Sequence, residues 1–105
     1  MNTILTDWYI IQVMDGNKLK GEVLAGVVLD DDTIRFFAGD FISTSQIKKI
    51  NPNTRLVTTA TGSEYKVIGN GKRAIIDFDD FELLRNGFSP EQIRALNRSY
   101  QLVAH

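Results

Sequence analysis

From Trp8 to Phe78 the chain is written in short runs of β-branched and aromatic residues, each cut off by glycine, asparagine or aspartate. This punctuation limits the fold more than any other feature, because apolar runs of about 4 to 8 residues between turn formers read as strands. Trp8 to Met14 (WYIIQVM) is nearly continuous, which suits a strand buried on both faces, and it stops at Asp15-Gly16-Asn17. Glu22 to Leu29 (EVLAGVVL) repeats the pattern, and Gly26 within it marks a bulge or a close backbone approach. Asp30-Asp31-Asp32 then turns the chain at a solvated hairpin tip.

Thr33–Phe37, Phe41–Ser45, Arg55–Ala60, Glu64–Ile68 and Arg73–Phe78 read as further strands. Gly39-Asp40, Asn51-Pro52-Asn53, Thr61-Gly62-Ser63 and Gly69-Asn70-Gly71 separate them. Ile47 and Ile50 fit either a strand or one helical turn. Regular spacing of this kind predicts a mainly β, α+β domain: a twisted antiparallel sheet over residues 1–78, curled towards a small SH3-like barrel.

Residues 79–105 change period. Asp80 is placed to cap a short helix carrying Phe81, Leu83 and Leu84, which Gly87 ends. Ser89-Pro90-Glu91-Gln92 has the residues of a capping box with proline in the first helical position, so a second helix runs from about Pro90 to Val103. Its stripe of Ile93, Leu96, Tyr100 and Val103 predicts a face packed against the sheet.

A chain of 105 residues suits one domain. Twelve basic and thirteen acidic side chains leave a net charge of −1, so any charged partner must be met by a local patch rather than a global field. With no cysteine there is no disulfide framework and no thiolate chemistry, which fits a cytoplasmic protein. No apolar run reaches the roughly 20 residues of a membrane helix, and Met1 to Asp7 lacks signal-peptide character.

The residues of chemical interest have simpler readings. Gly69-Asn70-Gly71-Lys72 lacks the spacing of a phosphate loop, and Asn-Gly between two strands predicts a hairpin. Asp77, Asp79, Asp80 and Glu82 suit the start of a helix, where the dipole favours carboxylates, better than a metal set. Ser43, Thr44, Ser45 and Ser63 have no positioned base, since the single histidine is the terminal His105. No catalytic residue, metal site or cofactor is expected.

Two surfaces suit a partner. Tyr9, Phe36, Phe37, Phe41 and Tyr65, with Arg35, Lys66, Lys72 and Arg73, could stack single-stranded nucleic acid or anchor a protein. Phe36 and Phe37 are neighbours, so in a strand one of them faces outwards. The two C-terminal helices are arranged like a helix-turn-helix, with Arg94 and Arg98 on the second. The candidate interaction residues are therefore Tyr9, Phe37, Tyr65, Arg94 and Arg98.

Gly39-Asp40, Ile42, Thr44-Ser45 and Ile47, followed by Thr58-Thr59, Gly62-Ser63 and Tyr65, form a pattern that resembles small proteins encoded by bacteriophages and other bacterial mobile elements. The resemblance implies a context rather than an activity: such proteins commonly occupy a surface of a host protein, and inhibitors of host defence such as anti-CRISPR proteins are one class. The expectation is a non-enzymatic module that binds a host protein or a second copy of itself. A nucleic-acid-binding barrel or helix-turn-helix is the alternative, and a small enzyme or ligand-binding barrel the third reading.

Overall fold

The computed structural model describes residues 2–103, with side chains as far as Ser99. Six strands, β1 (Thr3–Asp15), β2 (Lys18–Asp31), β3 (Phe41–Asn51), β4 (Leu56–Thr59), β5 (Glu64–Val67) and β6 (Lys72–Asp77), are followed by a 3-10 turn at Phe78–Asp80 and two helices, α1 (Phe81–Arg85) and α2 (Pro90–Val103). The fold is mainly β, with the helices packed on the sheet. Successive strands from β1 to β5 pair antiparallel, and β5 returns to β1, so the pairings close into a ring. The sheet is mixed, because β1 takes two parallel partners on one edge: β5 along Thr3–Leu5 and β6 along Tyr9–Met14.

A bulge in β1 makes this possible. Thr6 opposes Val27 and Tyr9 opposes Ala25, so Asp7 and Trp8 together face the single residue Gly26. Asp7 adopts φ 47°, the left-handed region where Asp is tolerated better than most side chains. One extra residue reverses which face each later side chain takes. Leu5 therefore points into the ring with Leu24, Val28, Ile42, Val57, Tyr65 and Val67. Beyond the bulge, Ile11 and Val13 point the other way, joining Val23, Ala25, Ile76, Leu84 and Ile93 beneath the helices. The continuous apolar run of β1 is thus buried on both faces, as its composition suggests. Gly26 is required opposite the bulge, because a Cβ there would lie 3.0 to 3.2 Å from the Trp8 and Thr6 backbone and the Trp8 Cβ.

Four expectations are corrected. Gly69-Asn70-Gly71 is not a hairpin: β5 and β6 do not pair but lie in line along one edge of β1, and this loop carries the chain past the bulge. Trp8 fills the loop, its indole Nε1 donating to the carbonyls of Ile68 and Gly69 at 3.2 Å each. Thr33–Phe37 is a loop, for reasons given below. Leu96 is 43% exposed, whereas Ile93 is 2% exposed, so of these two residues of the α2 stripe only Ile93 is covered. The side chains of Tyr100 and Val103 lie outside the described ones, as does all of His105. Asp80 does not cap α1; its Oδ2 accepts from Asn97 Nδ2 at 3.0 Å and so ties α2 to the end of the 3-10 turn.

Local signals were otherwise reliable. Ser89 Oγ accepts from the Gln92 amide at 3.2 Å while Gln92 Oε1 accepts from the Ser89 amide at 2.8 Å, a reciprocal capping box. Gly87 ends α1 at φ 95°. Ile47 and Ile50 lie in β3.

A Cβ on Gly71 would fall 2.3 Å from the Trp8 ring. Gly71→Ala should therefore cost about 1 to 3 kcal/mol in chemical denaturation, the usual range for overpacking. In a Trp8→Ala background most of that cost should vanish, since the clash has lost one partner. An unchanged cost in the double variant would place the strain elsewhere.

Candidate functional site

The segment between β2 and β3 has the β-forming composition of a strand, yet Asp31 takes it out of the sheet. The Asp31 carboxylate lies close enough to the chain that follows it to collect backbone donors in place of a neighbouring strand. Its Oδ1 accepts from the Thr33 amide at 3.0 Å, from the Thr33 hydroxyl, and from the Thr3 hydroxyl at 2.8 Å. Its Oδ2 accepts from the Arg35 and Phe36 amides at 2.7 and 2.8 Å. Partial burial alone would raise the pKa of this carboxyl. The hydrogen bonds from Thr33, Thr3 and Phe36 prevail and hold it well below the usual carboxylate range. Asp31 is thus the organising centre of a loop, not one of three solvated carboxylates at a hairpin tip.

The far end of the loop is fastened as well. The Gly39 amide donates to the Val28 carbonyl at 2.7 Å, the Val28 amide to the Asp40 carbonyl at 2.8 Å, and the Phe37 amide to Asp40 Oδ2 at 3.1 Å. Between these anchors Phe36 turns inwards against the ring core, with the Arg35 guanidinium 4.9 Å from the centre of its ring and 6.0 Å from that of Tyr65. Its neighbours do the opposite: Ile34 is 92% and Phe37 80% exposed. Ile34 also sits at φ 58°, a conformation that a β-branched residue rarely adopts and that costs about 1 to 3 kcal/mol. Two large apolar side chains are held in solvent, one of them under backbone strain, by a loop fixed at both ends. Asp30, Asp32 and Asp40 are exposed in the same stretch of chain, with Arg35 as its one cation. A cleft of about 570 Å³ lies beside the loop, lined by Phe36, Asp40, Phe41 and the Arg85-Asn86-Gly87 end of α1.

The sequence-predicted candidates are scattered by the fold. Phe37 lies in this loop. Tyr65 is 4% exposed and belongs to the ring core, where no partner reaches its ring. Tyr9 packs against the second core, meets Phe41 edge-on at 6.1 Å and donates its hydroxyl to Glu91 of α2, 2.6 and 2.7 Å from the two carboxylate oxygens. Burial, this hydrogen bond and the charges of Glu91 and Asp7 push the Tyr9 hydroxyl up to about 12, and the same bond draws Glu91 down. Tyr9 therefore pins α2 to the sheet, with Lys72 3.9 Å from Glu91 and 5.9 Å from the centre of the Tyr9 ring. Arg94 and Arg98 are exposed on α2, one turn apart.

Ile34 is the residue that sequence reasoning missed. A usable signal was present in Asp31-Asp32-Thr33: an Asp with a Thr two residues on is the spacing at which a side chain captures the backbone and replaces a strand with a turn. Of the hydroxyls, Thr44 is buried and structural, accepting from the Leu24 amide at 3.1 Å and donating to the Ser45 carbonyl at 2.7 Å. Among the described residues no three His, Cys, Asp or Glu side chains come together as a metal set, and no helix is long and apolar enough to cross a membrane. No protein family, curated protein or solved structure matches the chain.

Asp31→Asn keeps the shape but removes one charge and one acceptor oxygen, so the loop should loosen. The Arg35 and Phe36 amides should exchange faster with solvent, and stability at neutral pH should fall by about 1 to 2 kcal/mol. Because the folded-state pKa of Asp31 is depressed, its contribution is complete above the unfolded value of about 3.9 and is lost as the pH falls below it. The variant should lack that part of the acid sensitivity; an identical acid profile in both proteins would contradict the role given to Asp31.

Proposed function

We propose that this chain is a non-enzymatic protein-binding module that meets its partner through Ile34 and Phe37. The observation carrying this reading is the exposure of both side chains on a loop fastened by Asp31 and Asp40. An apolar anchor that is already ordered loses little conformational freedom on binding, which is where binding energy concentrates. Strain at Ile34 has no counterpart in packing, and strained, exposed backbone tends to collect at functional positions. The resemblance of the Gly39 to Tyr65 region to mobile-element proteins supports a narrower form: an accessory protein of a phage or mobile element, acting in the cytoplasm on a host defence protein in the manner of an anti-CRISPR inhibitor.

Nucleic-acid binding is the second reading and rests on Arg94 and Arg98, exposed one turn apart on α2. The loop does not share in it, because Asp30, Asp32 and Asp40 would repel phosphates at the place where the aromatic is offered.

The test is affinity recovery of the partner from cells, with and without nuclease, using the parent chain and the variant Ile34→Ala/Phe37→Ala. The expected partner is a protein that survives nuclease treatment and binds the variant at least about 30-fold more weakly, as for hot-spot residues. The melting temperature should hardly change, since both side chains are already in solvent. Loss of the partner with nuclease, and with Arg94→Ala/Arg98→Ala but not with the loop variant, would replace this reading with the second.

A further inference from the structure

We propose that β6 is a self-association edge, along which two copies of the chain pair antiparallel about a two-fold axis through Ile75. This inference is independent of the loop, which leaves β2 at Asp31, opposite Thr3 of β1, whereas β6 lies along the Tyr9–Met14 half of β1. Among the described strands β6 alone has a single sheet neighbour. Its outer edge therefore directs backbone N–H and C=O groups away from β1, and such an edge is a template for another strand. Protection by charge or cover is incomplete here, because Ile75, in the middle of the strand, is 66% exposed. The strand is flanked by two depressions that share Arg94 of α2: one of about 420 Å³ also touches Ile10, Gln12, Arg73 and Ile75, and a groove of about 170 Å³ lies between Ile75–Asp77 and Ile93, Arg94 and Asn97 of α2.

The sequence of β6, Lys-Arg-Ala-Ile-Ile-Asp, identifies a second copy as the occupant. An antiparallel pair related by a two-fold axis perpendicular to the sheet keeps each face continuous, so opposed residues must share a face and their numbers must sum to an even value. Centring on Ile75 opposes Arg73 to Asp77 of the second copy, Ala74 to Ile76, and Ile75 to itself. The ion pair then occurs twice and the exposed isoleucine is covered by its own copy. Centring on Ala74 sets Lys72 against Ile76 and Arg73 against Ile75; centring on Ile76 sets Ile75 against Asp77. Both alternatives leave charges facing apolar side chains, so the charge pattern selects one register. Arg73 is free to turn to this task, since its present partner Glu22 is 3.9 Å away and the Arg73 side chain is 78% exposed.

Analytical ultracentrifugation of the full chain over a wide concentration range should show a reversible monomer–dimer equilibrium. Arg73→Asp brings carboxylates together in both pairs and Asp77→Arg brings guanidinium groups together, so each variant alone should dimerise at least roughly tenfold more weakly than the parent. An equimolar mixture of the two should restore the dimer, because each chain then offers the other the opposite charge at both positions. Ile75→Lys, at a site already in solvent, should give a folded monomer with the melting temperature that the parent shows when dilute enough to be monomeric. A parent chain that stays monomeric at every concentration, either charge variant dimerising like the parent, or a mixture no better than its components would each overturn the proposal.

Discussion

Everything in this fold hangs on the place where β1 steps out of register. Asp7 and Trp8 oppose a single glycine, Gly26, and the added residue turns the rest of the strand over. One strand thereby supplies the wall of the ring with Leu5 and the floor of the helical layer with Ile11 and Val13. The indole of Trp8 occupies the gap this creates. It rests on Gly71, gives its N–H to the Ile68 and Gly69 carbonyls, and so holds the loop that lets β5 and β6 follow one another along the same edge. Arg55 reaches the same loop from the β3–β4 turn, donating through Nε to the Val67 carbonyl at 3.1 Å and through its terminal nitrogen to the Gly69 carbonyl. Backbone polar groups that would otherwise be left without partners at the break are satisfied by two long side chains.

That arrangement has a consequence for function. Because both cores share β1 and β2, the ends of the ribbon are held by the whole domain rather than by local packing. The first residue of β1, Thr3, is fully buried, and its hydroxyl bonds the last residue of β2, Asp31. The loop carrying Ile34 and Phe37 is therefore fixed to a buried, hydrogen-bonded part of the sheet. A loop on such a base can keep apolar side chains in water without collapsing onto the nearest apolar surface, and preorganisation of this kind is what a binding surface needs.

Much of this was legible in the sequence, and the limits follow from the range of each interaction. The Ser89-Pro90-Glu91-Gln92 cap, the Gly87 stop and the special role of Gly26 depend on neighbours within a few residues or on a backbone preference, so the residues declare them. Asn70-Gly71 is a turn signal that says nothing about which strand comes next to which, and only Trp8, some 60 positions earlier, decides that the turn is a crossing and not a hairpin. β-propensity at Thr33–Phe37 was overridden by one carboxylate. The α2 periodicity placed Ile93 and Leu96 on a common face but carried no information on how far the sheet extends beneath it. Tyr9 and Tyr65 look alike as strand aromatics; the bulge sends one to the helices, and ring closure encloses the other.

Trp8 is the only tryptophan, so its fluorescence reports the bulge alone, while far-UV circular dichroism reports both layers. If the bulge makes the two cores one cooperative unit, unfolding in denaturant followed by the two signals should give coincident transitions with the same midpoint and slope. A fluorescence transition clearly separated from the dichroism transition would mean that ring and helical layer unfold independently, and the account of a single strand binding both would be wrong.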